Sequence, residues 1–284
     1  MMLATFSSLN SPVSRKIARA LWAKCSAQNS KPNIMMQPIF LLDEKRWIAA
    51  SLEHFAVWER TEREIFQHMD VRITPTGLAK AMAYYRVARN FKVERRDILM
   101  RALNKSALTG SLPIERFDSF VSNVRRLTKQ YAQQTAVEHR RVRPISGISK
   151  MLWYRFPFDG FIYDWQVFSA ICKNGLTVRF DSRVEAFGGK PTDDHEWNFL
   201  IAAAAYRHFM LPLHQGVADV LRSRGLEPER AARLLDMLFW REGRNKGLPP
   251  RKPPPLIEKT AIEIGQEAFL LCRPHLKCAL WVNE

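Results

Sequence analysis

The sequence predicts a predominantly α-helical protein, and three observations carry that prediction. Apolar residues recur at intervals of three and four over long stretches, which places them on one face of a helix. Proline, glycine and capping residues punctuate the chain at the ends of those stretches. Alternation of period two is confined to one segment, Gly175 to Phe187, which reads as a short strand or an extended loop. With 284 residues, 46% of them hydrophobic, the chain can bury one large core or two small ones.

Taken in order, Pro12 to Ala27 has helical spacing through Ile17, Leu21, Trp22 and Cys25, and breaks at Asn29 to Pro32. Glu44 to Met69 is the clearest amphipathic helix, with Trp47, Ile48, Leu52, Phe55, Trp58, Ile65 and Phe66 recurring at three-to-four spacing. The acids Glu53, Glu59, Glu62 and Glu64 on it read as a solvated face. Thr74 to Gly77 marks a turn, followed by helices at Leu78 to Phe91 and Asp97 to Ala107. Pro113 suits a first helical turn, opening a helix that buries Phe117, Phe120, Val121, Val124 and Leu127.

Later, Asp193 and Glu196 form a capping-box-like start for an apolar helix from Trp197 to Met210. Helices near Gln215 to Arg224 and Pro228 to Arg241 follow. Gly247 to Pro255 is a proline-rich connector, and Ile257 to Leu271 a last amphipathic helix. The expected division is a basic arm over 1–42, a helical subdomain over 43–136, a second over 137–246, and a connector with a terminal helix over 247–284. There is no internal repeat.

Charge narrows the partner. Lys and Arg number 44 against 28 Asp and Glu, a net charge of +16. That excess predicts affinity for polyanions, nucleic acid first and an anionic membrane surface second. The longest apolar run, Phe199 to Tyr206, falls far short of the roughly 20 residues that a bilayer span needs. Met1 to Leu42 holds no acidic residue and carries Arg15, Lys16, Arg19 and Lys24. Such an arm resembles an organellar transit peptide and equally suits a nucleic-acid-binding extension. It lacks the apolar core of a secretory signal, so a cytoplasmic monomer is expected.

Four scattered cysteines, Cys25, Cys172, Cys272 and Cys278, are too few for a disulfide framework and read as reduced thiols. His195, His208 and His214 with Asp193 and Asp194 lack metal-binding spacing, and no phosphate-binding glycine motif is present. Neither a metal nor a cofactor is expected.

The chemistry concentrates between Pro144 and Cys172. Ser146-Gly147-Ile148-Ser149 reads as a small polar hairpin opening a helix that stops at Phe156-Pro157. Arg140, Arg141, Arg143 and Lys150 surround it, so backbone amides and cations together suit a phosphate of DNA. After Asp159-Gly160 comes the run Phe161-Ile162-Tyr163-Asp164, and Asp164 stands where a second helix needs its N-cap.

This order, with Ile145-Ser146-Gly147-Ile148-Ser149-Lys150 followed by Ile162-Tyr163-Asp164-Trp165-Gln166-Val167, resembles the helix-hairpin-helix DNA glycosylase superfamily, including its 8-oxoguanine glycosylase branch. The family hairpin reads roughly P-G-V-G-x-K, and its later segment carries an aspartate after an apolar run. About a tenth of the chain is covered. Here Ser149 replaces the second hairpin glycine, Lys150 falls one place early, and the intervening helix is short.

The resemblance implies a mostly α fold that flips a modified or damaged base out of duplex DNA and cleaves its N-glycosidic bond. Asp164 would stabilise the positive charge developing on the sugar. Lys150 is a secondary catalytic candidate, with phosphate contact preferred, which implies a monofunctional enzyme. Arg141, Arg143, Ser146, Gly147 and Ser149 would hold DNA, while Tyr163, Trp165 and Trp153 would line the base pocket. The departures point to an unusual base, such as a hypermodified one of phage DNA. A non-catalytic DNA-binding or scaffold protein is the alternative. The spacing of Cys272 and Cys278 is similar to the end of an iron–sulfur loop in some helical glycosylases, but two cysteines cannot hold such a cluster.

Overall fold

The computed structural model describes residues 39–88, 91, 93–134, 144–174, 176, 187, 189–244 and 249–281. Among them the chain is helical, with no strand. Residues 1–38 of the N-terminal arm, Arg141, Arg143 and nearly all of the alternating segment lie outside the described residues.

Local signals start most of the helices. Asp43 accepts a hydrogen bond from Lys45 N (3.0 Å) ahead of α1, Glu44–Val57. A π-helical turn, Trp58–Glu62, then joins it to α2, Arg63–Gln67. The predicted single amphipathic helix is therefore interrupted by a wide turn. One extra residue per turn rotates the downstream helix by about 100°, and both Trp58 and Glu62 end up buried.

Thr74 Oγ1 accepts from Gly77 N (3.0 Å) and Pro75 occupies the first turn of α3, Pro75–Tyr84. This helix stops short of the expected Phe91. Arg86 adopts φ 55°, and Val87 N and Arg86 N bond back to Met82 O and Ala83 O, a Schellman stop with arginine where glycine is usual.

Next come α4, Arg96–Asn104, and the long α5, Pro113–Gln134. The pair α6, Ile145–Arg155, and α7, Trp165–Lys173, carries the Pro144 to Cys172 stretch. Asp193 caps α8, Asp194–Phe209, while Glu196 reaches back to Thr192 N (2.6 Å), the reciprocal cap read from the sequence. Then follow α9, His214–Ser223, α10, Arg230–Gly243, and α11, Pro255–Trp281. The last helix starts on Pro255, the final proline of the run, and continues well past Leu271, with Pro274 inside it.

One hydrophobic cluster runs from Phe40 to Leu276 and draws on every long helix. The terminal helix α11 packs along α1, where Trp47 meets Phe269 at 6.5 Å between ring centroids. Gly265 permits the approach, because a Cβ there would stand 2.7 Å from Ile48 Cα. On α10, Arg230, Arg233 and Asp236 are all buried, the two arginines turned toward α1 and its π turn.

Their partners correct the reading of α1 and its π turn as solvated on the acidic side. Glu53 and Glu62 are buried. Arg233 forks onto Glu62 (Nε 3.0 Å, Nη2 2.7 Å), and Arg241 and Arg251 meet Glu53 at 3.1 and 3.3 Å. Arg230 lies 4.2 Å over the Phe55 ring and donates to His54 Nε2 at 3.2 Å.

Two opposing effects bear on Gly265→Ala. Helix propensity alone favours the substitution by about 1 kcal/mol. The overlap with the α1 backbone opposes it by about 1–3 kcal/mol, so the variant is expected to unfold at lower urea concentration with an unchanged m-value.

Candidate functional site

The site is built around residues 157–164, the turn and extended segment between α6 and α7. An extended segment buried in a helical protein has no sheet to satisfy its amides, so side chains must do so. Asp236 Oδ2 on α10 accepts from Ile162 N at 2.9 Å. Ser149 Oγ on α6 accepts from Tyr163 N at 3.3 Å, and Ser146 Oγ donates to Tyr163 O at 2.9 Å.

The preceding turn is tied down as well. His214 Nδ1 on α9 hydrogen-bonds Phe158 O at 3.0 Å, and Arg116 on α5 forks onto Asp159 at 2.8 and 2.6 Å. Phe161 closes the core beneath, stacked on Phe117, Phe199 and Tyr206 at 5.8, 5.7 and 5.0 Å. Five helices thus hold one short segment.

What this presents is Asp164. Its Oδ1 accepts from Val167 N at 3.0 Å, the N-cap expected of it. Its Oδ2 lies 4.0 Å from Lys150 Nζ, too far for a hydrogen bond and close enough for charge attraction. Lys150 Nζ donates to Ser146 Oγ at 2.8 Å and lies 5.5 Å from the Tyr85 ring centroid. Ser146 therefore links the lysine to the segment that carries the aspartate.

Burial lowers the Lys150 pKa below the ordinary lysine value; Asp164 opposes the shift and Arg233 adds to it. Tyr85 is held in turn by Glu62 Oε1 at 3.3 Å and by the Tyr154 hydroxyl at 3.2 Å. The pair sits just under the surface, since Asp164, Trp165 and Gln166 are partly exposed while Lys150 is buried.

Several expected roles are corrected by this geometry. Ser146 to Ser149 is no hairpin: α6 is regular from Ile145 and buries this stretch. A Cβ on Gly147 would press on the Phe91 ring, so that glycine serves close packing instead of phosphate approach. The hydroxyls of Ser146 and Ser149 are spent on the Tyr163 backbone. Lys150 faces Asp164 from within the protein, which leaves it poorly placed for a phosphate on the surface.

Of the three proposed pocket aromatics, Trp153 is fully buried and Tyr163 nearly so, edge-on to Phe199 at 5.3 Å; only Trp165 is open to solvent. Among the described residues no group of three or more His, Cys, Asp or Glu side chains is arranged to hold a metal.

Sequence reasoning missed Asp236, His214, Arg116 and Tyr85. One signal was available for the first, a lone aspartate inside the apolar run Leu234-Leu235-Asp236-Met237-Leu238. A charge in such a run on a buried helix needs a buried partner. The others carried no local mark.

No family model, no curated protein and no solved structure matches the sequence.

The anchoring of the segment is sensitive to pH. His214 donates to Phe158 O and accepts from the Tyr206 hydroxyl at 2.8 Å as a neutral ring, and burial pushes its pKa down to about 4. The folded value lies below the ordinary histidine value of about 6.5. Stability is therefore full above pH 6.5 and is lost as pH falls toward 4. Urea unfolding across that window should show the wild type losing on the order of 3 kcal/mol more than His214→Gln.

Proposed function

We propose that this protein is a base-excising DNA glycosylase-like enzyme working at the Lys150–Asp164 pair. The observation that carries the reading is the pair itself. A desolvated lysine and a capping aspartate, from different helices, meet 4.0 Å apart beside the half-exposed Trp165. A net charge of +16 suits a polyanionic substrate.

In this reading a flipped nucleotide brings its sugar against the two side chains. As the C1′–N bond breaks, the base leaves with the bonding electrons and takes up a proton. The Asp164 carboxylate offsets the positive charge that grows on the sugar. Either water or the Lys150 amine, in its unprotonated form, then bonds to C1′. Burial favours that form of the lysine, which strengthens its candidacy as nucleophile over its candidacy as phosphate contact. The modified or damaged base is the class of target, a hypermodified phage base among them.

A second reading, a DNA-binding protein without this chemistry, has one observation in its favour. Asp164 already has a structural task as the cap of α7, and Lys150 one as its charge partner.

Incubation with DNAs bearing different base modifications, followed by an assay for abasic sites, separates the two. Asp164→Asn is expected to lower abasic-site formation by at least a hundredfold while duplex binding persists. Borohydride should trap a covalent protein–DNA adduct with the wild type and none with Lys150→Gln. Abasic sites without any adduct would assign the attack to water, and no product from any substrate would leave the non-catalytic reading.

A further inference from the structure

Away from the Lys150–Asp164 pair, a cavity of about 530 Å³ opens between the C-terminal half of α5 and the start of α8. That volume is in the range of small-molecule sites. Part of its lining is apolar, from Ala132, Ile145 and Phe187. The rest is strongly basic. Arg126, Lys129 and Lys190 line it and are exposed, with the His195 imidazole beside them.

Among the described residues the internal pairing leaves that charge uncompensated. The lining holds one carboxylate, Glu196, and it is already consumed. It accepts from Arg125 Nε at 2.6 Å and from Thr192 N and Oγ1 at 2.6 Å each. Arg125 is likewise fully used, with its remaining nitrogens on the carbonyls of Phe187 and Lys190. Arg126 bonds only neutral acceptors, Gln130, Ser106 and Asn123. Among the described residues Lys129 and Lys190 have no acidic partner.

A ligand that satisfies both halves needs an apolar body of modest size flanked by negative charges. Ile145, the first residue of α6, lines the wall, and Pro144 supplies no side-chain cap there. The partial positive charge of that helix end adds to the same preference.

We propose that this cavity takes one unpaired nucleotide of a nucleic-acid strand, the base against the apolar lining and the adjoining phosphates on Arg126, Lys129 and Lys190. Base burial with cations tracking the backbone is the general design of single-strand binding. The proposal stands apart from base excision, because none of these residues touches Lys150 or Asp164.

Fluorescence anisotropy of a labelled short single-stranded oligonucleotide tests it, with a 5′-mononucleotide and inorganic phosphate as competitors. The mononucleotide should compete at concentrations where inorganic phosphate does not. The double variant Lys129→Glu/Lys190→Glu should weaken binding at least tenfold and lower the salt slope by about 1.4, at about 0.7 for each phosphate no longer neutralised. Lys252→Glu/Lys259→Glu, on and beside α11 and outside the cavity lining, makes the same change in net charge and should weaken binding less than threefold. Arg126→Glu, at an exposed position, supplies an independent variant should the first pair melt early. Equal weakening by both pairs, equal competition by inorganic phosphate, or no single-strand binding would each overturn the proposal. Abasic-site formation is read in its own assay on wild-type protein, so a failure of the excision reading is seen separately.

Discussion

The constraint on which the rest of the structure depends is the burial of an extended segment in an all-helical core. Residues 157–164 cannot satisfy their backbone within a helix, and among the described residues no strand lies beside them. An unpaired buried amide or carbonyl costs about 1–3 kcal/mol, so the segment requires side-chain partners at fixed places. Ser146, Ser149, His214 and Asp236 are those partners for Phe158, Ile162 and Tyr163. Each comes from a helix whose own position must then be set to within a fraction of an ångström.

That requirement explains why so much charge is buried elsewhere. Asp236 sits on α10, and α10 is registered against α1 and its π turn by Arg230 on His54, Arg233 on Glu62 and Arg241 on Glu53. Breaking such a buried pair from one side costs about 3–5 kcal/mol, a large fraction of a domain's net stability. The pairs are directional where apolar contacts are not, so they select one rotation and one translation of α10. Burial raises the Asp236 pKa above the usual carboxylate value, and Arg233 and the Ile162 amide oppose the shift. The end result is a lysine and an aspartate, fourteen positions apart, presented side by side near the surface.

Much of the helical architecture was legible locally. The caps at Asp164 and Asp193 and the proline at the head of α5 are where the spacing and cap residues put them, whereas Thr74 to Gly77, read as a turn, caps and opens α3. The π turn after Val57 was not legible, because it serves Glu62 and its partner Arg233, 171 residues away. The Ser-Gly-Ile-Ser stretch misled for a related reason. Small polar residues suit a phosphate turn, but they equally suit a helix that must let a ring pack on Gly147 and hand two hydroxyls to a neighbouring backbone.

The sequence by itself determined the helical class, the starts of α1, α5, α7 and α8, the surplus of positive charge and the placement of Asp164 as a cap. These depend on residues within one or two turns of each other, or on composition alone. Only the tertiary structure decided that Glu53 and Glu62 are buried, that Trp153 and Tyr163 belong to the core, and that Lys150 turns inward to meet Asp164. The physical reason is the same in each case. A polar side chain is buried only where a partner is supplied from a distant helix, and no local pattern records which helix that will be.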